Sequence, residues 1–257
     1  MNKITKYIKR IIKLVKLDEM QILPGHLAFH LIFLIIPVST FITLLSSFYD
    51  SDISNILSNN IPIQALKIIN NTINTSNITL FVIISLWLTS RGCKAIIISS
   101  NIIFKIKNND KIRLQIKSFL MAIILFILIN FVLLVPTLGN ILIDLINPNL
   151  SGYIVIFNYP ISIILMFILI KSLYYMAPNQ KIKYMNKGSL FTTITWLLLS
   201  RIYSFYLNNF NDYNVYYGSL SNILILFLWI YLLAYIFTIG MALNADNYFV
   251  SKFKIKK

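Results

Sequence analysis

Hydrophobic positions along the chain gather into six long runs, roughly residues 26–49, 78–104, 118–136, 153–172, 188–208 and 219–244. Each is close to the length of about 20 apolar residues that a helix needs to cross the hydrocarbon core of a bilayer. A helix satisfies all of its backbone hydrogen bonds internally, as that medium demands. The pattern predicts an all-α polytopic membrane protein of about six transmembrane helices. Pro24 and Gly25 break the chain before the first run, and Pro37 should kink the first helix from within. Two further stretches are amphipathic or too short to span. Residues 53–73 read as an amphipathic helix at the outer face, and 137–150 as an interfacial or re-entrant piece; either could form a lid.

The polar positions between the runs alternate in charge. Basic residues crowd four segments: the N-terminus, the loop after the second run (Lys105, Lys107, Lys111, Arg113, Lys117), the loop after the fourth (Lys171, Lys181, Lys183, Lys187) and the tail (Lys252, Lys254, Lys256, Lys257). The intervening loops carry Asp50, Asp52, Asp144 and Asp212, with Lys67 their one cation. Positively charged loops stay on the cytoplasmic side. The alternation therefore places both termini in the cytoplasm, and a lost or added helix would break it. Residues 1–22 interleave Lys3, Lys6, Lys9, Arg10 and Lys13 with Ile4, Ile8, Ile11 and Ile12, the pattern of a basic amphipathic helix. Such a segment lies in the membrane interface or serves as a plain topogenic flank. Three regions follow: a basic cytoplasmic or interfacial segment, 1–22; a transmembrane domain, 23–247; and a basic cytoplasmic tail, 248–257.

Composition agrees. Hydrophobic residues make up 58% of the chain and charged residues 12%, about half the charged share of a soluble domain. The net charge of +15 would suit nucleic acid, but its confinement to alternate loops fits topology and anionic lipid headgroups instead. The expected partners are membrane lipids, anionic ones in particular, and not nucleic acid. Cys93, the single cysteine, permits no internal disulfide. The first apolar run is longer than a signal core and lacks a small-residue cleavage site, so a cleaved signal is not expected.

Ionisable side chains at membrane depth are costly and need a reason. Arg91 falls within the second run and Arg201 within the fifth, near Trp196, Tyr203 and Tyr206. One reading has both facing a polar cavity and binding an anion such as a phosphate or carboxylate headgroup. The other has each paired with helix carbonyls or neighbouring polar groups. His26 and His30 share a helix face, but no acidic partner or Cys/His cluster accompanies them, so no metal is expected. With eight acidic residues, most of them in loops, the chain shows no paired carboxylates, nucleophile elbow or phosphate-binding glycine loop. No enzyme and no cofactor are expected. Intramembrane Ser and Thr suit helix packing, and Gly92, Gly188 and Gly240 permit close helix approach.

The order and spacing of several motifs resemble the YihY/BrkB family of bacterial inner-membrane proteins, once mislabelled as ribonuclease BN. The resemblance spans roughly residues 20–247. Ala28-Phe29-His30 through Pro37 is similar to the family's Ala-Tyr-Tyr…Pro stretch. Trp87, Ser90-Arg91-Gly92 and Asn101 resemble its Trp-x-x-Ser-Arg-Gly…Asn pattern. Tyr174, Tyr175, Pro178 and Asn179 resemble its Tyr…Pro-Asn segment, and Gly188, Trp196 and Tyr203 follow. Tyr217-Gly218-Ser219, Trp229, Tyr231 and Gly240…Asn244 resemble its Tyr-Gly-Ser and Gly-Ala-Glu-x-Asn motifs. Two departures stand out: Phe29 and His30 replace tyrosines, and Ala242 replaces the family's usual Glu. If that Glu pairs with an arginine, Arg91 here is freer for an anion.

The resemblance implies a multi-pass protein of the bacterial inner membrane with a role in transport or envelope maintenance. Intramembrane arginines, aromatic-rich spans and the lack of a nucleotide-binding motif favour a transporter or flippase-like protein for an anionic amphiphile, uncoupled or coupled to a gradient. A non-catalytic scaffold in envelope maintenance is the second reading; a membrane hydrolase or ribonuclease is a remote third.

Overall fold

The computed structural model describes residues 11–12, 16, 18–32, 78–107, 110–146, 151–180, 182, 185–209 and 219–255. Pro37, Tyr217, Gly218 and the 53–73 stretch lie outside the described residues. Helix α1 covers 19–32. It is followed by α2 (Ile78–Ile103), α3 (Lys111–Ile146), α4 (Ser151–Met176), α5 (Asn186–Asn209) and α6 (Ser219–Ile255). Among the described residues the chain is helical, with no strand.

The apolar runs located these helices closely at most ends. Three extensions were not expected. Helix α1 begins at 19 and runs unbroken through Pro24 and Gly25, where the sequence predicts a break; a proline in the second turn of a helix costs a hydrogen bond but keeps a helical φ. Helix α3 is 36 residues long, about 54 Å at 1.5 Å per residue, and passes through Pro136 to Ile146. Residues 137–146 are therefore the far end of α3 rather than a separate interfacial piece. Proline removes one backbone hydrogen bond, but its φ is helical, and the Leu- and Ile-rich sequence on either side outweighs one lost bond. Helix α6 likewise runs on into the basic tail, as far as Ile255.

Each helix from α2 onward packs on the next, and α6 returns to α2, which closes the bundle. Leu27 of α1 joins Cys93, Ile97, Met121, Ala122, Ile170, Tyr174 and Ala234 in the main core, each nearly inaccessible. A smaller cluster of Met20, Ile239, Ala242 and Leu243 seats the start of α1 on α6. Ala242, where the resembled family has Glu, is thus an apolar packing position.

The distribution of polarity is inverted relative to a water-soluble bundle. Ile83, Ile164, Leu198, Ile202, Phe205 and Leu224 are each more than half exposed, whereas Thr89, Ser90, Ser99, Ser100, Thr192 and Asn244 are buried. Several buried hydroxyls satisfy themselves along their own helix: Thr193 donates to Ser189 O, Ser189 to Met185 O and Thr238 to Ala234 O. Two described stretches, Lys111–Ile129 and Leu224–Asp246, are long and apolar enough to cross a membrane by length and composition.

Helix α2 ends in a tight reversal at the basic end of the bundle. Lys105 has φ 55°; its N–H bonds to Ile102 O and that of Ile106 to Asn101 O. These are the paired closing bonds of a Schellman turn, whose left-handed position usually holds glycine. A β-carbon there costs about 1–2 kcal/mol. Lys105→Gly should therefore raise the apparent Tm of the purified protein in detergent and Lys105→Val should lower it, each by about 1 kcal/mol. An unchanged or reversed order would show that the turn is not strained.

Candidate functional site

Three elements meet at a polar joint inside the bundle. The Tyr174 hydroxyl on α4 donates to the carbonyl of Phe237 on α6 at 2.7 Å. A carbonyl can only accept, so the single phenolic proton is committed there. The 2.7 Å contact between Tyr174 Oη and Thr192 Oγ1 of α5 is then a bond from threonine to tyrosine. Beside it, α5 and α6 touch backbone to backbone. A β-carbon on Gly188 would collide with the carbonyl oxygen of Gly240, and one on Gly240 would collide with Thr192 Oγ1 and Tyr174 Oη. The N–H of Gly188, in the first turn of α5 and lacking an intrahelical acceptor, donates to Asn244 Oδ1 at 2.8 Å. Asn244 is fully buried, and its Nδ2 has no partner among the described residues. Small residues at such a crossing let helices associate where no hydrophobic driving force separates lipid from protein.

A second joint ties the basic ends of α2, α3 and α4. The Lys117 ammonium donates to Ala177 O, Pro178 O and Asn179 Oδ1 at 2.9, 2.7 and 2.9 Å. It thereby caps carbonyls that the end of α4 leaves open. The Asn179 N–H in turn donates to Asn101 Oδ1 on α2 at 3.0 Å. Ser118 Oγ donates to Gln115 O, so Ser90 donates to Ser118 across the α2–α3 contact at 3.2 Å. Lys94 reaches Gln115 Oε1 at 3.2 Å. Ser90, Asn101 and Pro178, singled out from sequence, thus serve this joint, and Gly92 is buried on the same helix.

Next to the first joint, on the side away from the basic ends, lies a cavity of about 270 Å³ with a wholly apolar lining. Its wall includes Leu31, Ile96, Leu125, Leu169, Trp196 and Phe237, so each of the six described helices contributes. The Trp196 indole N–H is satisfied by Leu233 O at 2.9 Å, which leaves only ring carbon facing inward as polar demand is met elsewhere. The nearby Trp229 stacks on Tyr203 with centroids 4.8 Å apart.

The two arginines lie elsewhere. Arg91 is exposed on α2, its guanidinium 4.2 Å from the Trp87 ring centroid one turn earlier, a cation–π arrangement. On α1, His30 packs edge-on against His26 with ring centroids 5.0 Å apart. Arg201 is also exposed, on α5. Neither lines the apolar cavity. Among the described residues no three His, Cys, Asp or Glu side chains converge as metal ligands. Tyr174, Thr192, Lys117 and Trp196 carry more of the interior architecture than sequence reasoning gave them. Tyr174 and Trp196 were marked in sequence only as motif residues and Lys117 only as a loop charge.

An apolar exterior over a hydroxyl- and amide-bearing interior defines a helical membrane protein. The chain belongs to the virulence factor BrkB family, whose profile matches residues 11–255. It is 26% identical to the ribonuclease-like protein YfkH of Bacillus subtilis over 93% of this chain and 94% of that protein. It is 32% identical to a UPF0761 membrane protein of Vibrio campbellii, over 38% of this chain and 32% of that one. A UPF0761 membrane protein of Photobacterium profundum is 36% identical over 29% of this chain and 24% of its own length. The chain therefore aligns with about a third or less of these two proteins. No solved structure matches it.

The α5–α6 crossing yields a test. Gly240→Ala should destabilise the protein by about 1–3 kcal/mol through overpacking, more than Tyr174→Phe, which forfeits two interhelical hydrogen bonds of about 0.6 kcal/mol each. Adding Thr192→Ala to Gly240→Ala should restore part of the loss, because it removes the nearest obstructing atom. Additive losses in the double variant, read from thermal unfolding in detergent, would refute the contact.

Proposed function

We propose that this chain is a six-span protein of the bacterial inner membrane, with both termini cytoplasmic, that binds and moves an anionic amphiphile. The observation that carries this reading is the apolar cavity inside the bundle, walled by all six described helices. Dry apolar cavities of this kind accept apolar ligands. An acyl or prenyl tail is the chemistry that suits it, since the lining offers nothing to a charged group.

A headgroup then has to travel along the exposed surface rather than through the cavity. Arg91, held over Trp87, and Arg201 are the guanidiniums placed on that surface. Both suit phosphate or carboxylate oxygens. The chain carries no nucleotide-binding motif, so movement would run downhill or draw on a gradient. The ribonuclease-like wording belongs to the name of the Bacillus relative; we read this chain as non-enzymatic.

Reconstitution in liposomes with a fluorescent phosphatidylglycerol, chemically quenched from outside, tests this. Protein-dependent quenching should proceed past the outer leaflet. Arg91→Ala or Arg201→Ala should slow it about tenfold, the loss of one charge-assisted contact. No movement above empty liposomes would favour the scaffold reading, to which an apolar interior is equally suited.

A further inference from the structure

A second, larger hollow of about 1560 Å³ opens at the basic end of the bundle, between the turn after α2, the first turns of α3 and the residues after α4. The cations Lys107, Lys111, Arg113 and Lys117 border it, against a single carboxylate, Asp110. Lys117 is committed to the end of α4, so it braces the floor. Lys107, Lys111 and Arg113 are exposed. One wall is apolar. Ile112, Ile116 and Leu120 belong to the lining and follow one another at four-residue intervals, a single row down the face of α3. They are 78%, 58% and 55% exposed, and Tyr175 faces the same hollow. The row descends about 12 Å along the helix from the cations, towards the apolar body of the bundle.

Topogenic charge explains why lysines are here, but not why a bare isoleucine ridge runs beneath them in one hollow. A solvated basic loop would have no use for the ridge, and an ordinary lipid-facing ridge would need no rim of cations. Together they match a molecule with an anionic head and an apolar tail. We infer that this groove is a binding site for one anionic phospholipid, its phosphate held by Lys107, Lys111 and Arg113 and one chain laid along Ile112, Ile116 and Leu120. The inference deepens the proposed function by giving the lipid a seat at the basic face, and it rests on that reading for the class of ligand. It does not require that the lipid be moved.

Purified full-length protein, titrated with phosphatidylglycerol or phosphatidylcholine in detergent and followed by native mass spectrometry and thermal unfolding, tests the site. Phosphatidylglycerol should bind and raise Tm, and phosphatidylcholine should not. A Lys107→Gln, Lys111→Gln, Arg113→Gln variant should lose roughly fivefold in affinity per charge removed. Ile116→Asn should weaken binding with the charges intact. Equal binding of both lipids, or undiminished phosphatidylglycerol binding in the triple variant, would overturn the inference. So would equal stabilisation by glycerol 3-phosphate, because the ridge would then play no part. Should the triple variant fail to insert, photo-crosslinking of the wild-type protein to a diazirine-bearing phosphatidylglycerol decides the matter. Adducts between residues 106 and 120 or 175 and 180 support the groove, and adducts confined elsewhere overturn it. Binding without transport in liposomes upholds the groove and counts against movement alone.

Discussion

The architecture depends on the backbone contact between α5 and α6 at Gly188 and Gly240. In lipid, apolar side chains gain little by leaving the solvent, so helices are held by close packing and by hydrogen bonds that have no water to compete with. The two glycines bring the helix backbones together, and that proximity allows Thr192, Tyr174 and the Phe237 carbonyl to form one chain of bonds. Asn244 extends the same arrangement to the open N–H at the start of α5. Trp196 sits one turn from these contacts on α5, and Phe237 is part of them on α6. The shape of the central cavity is therefore set by a joint that itself contains no part of the cavity wall except Phe237.

The lysine joint at the basic end complements it. Lys117 holds three oxygens at the end of α4 while Asn179 holds α2 through Asn101. One joint fixes α4, α5 and α6, and the other fixes α2, α3 and α4, with α4 common to both. The cavity beside the first joint is lined by apolar atoms throughout, the Trp196 N–H being spent on Leu233 O across the α5–α6 contact. The apolar cavity and the cationic groove with its apolar ridge are two spaces beside these joints.

Helix positions were legible in the sequence because a membrane imposes a strong length and hydropathy rule. The start of α2 at Ile78 and of α6 at Ser219 coincide with the expected ends of apolar runs. The rule is silent where a helix outlasts the hydrocarbon, which is why α3 beyond Pro136 and α6 beyond Asn244 went unseen. Arg91 was legible as an unusual residue but its surroundings were not: hydropathy cannot tell an inward face from an outward one when both are apolar. Gly188, Gly240 and Asn244 stood out as motif residues, yet their contact joins positions 56 residues apart, and no local pattern carries such a pairing. Lys117 looked like one more topogenic charge because two of its three acceptors are backbone carbonyls, which leave no mark on sequence, and the third, Asn179 Oδ1, lies 62 residues away.

Occupation of the central cavity by an apolar tail is the claim most directly open to measurement. Trp196 lines the cavity, and in a Trp87→Phe, Trp229→Phe background it is the sole tryptophan. Its fluorescence in nanodiscs should be quenched by phosphatidylglycerol with brominated chains, saturating at a low fraction of labelled lipid, because bromine quenches at contact and a bound tail is enriched over bulk. Quenching that rises only in proportion to the labelled fraction, or none at all, would show the cavity to be closed to lipid and would contradict the account.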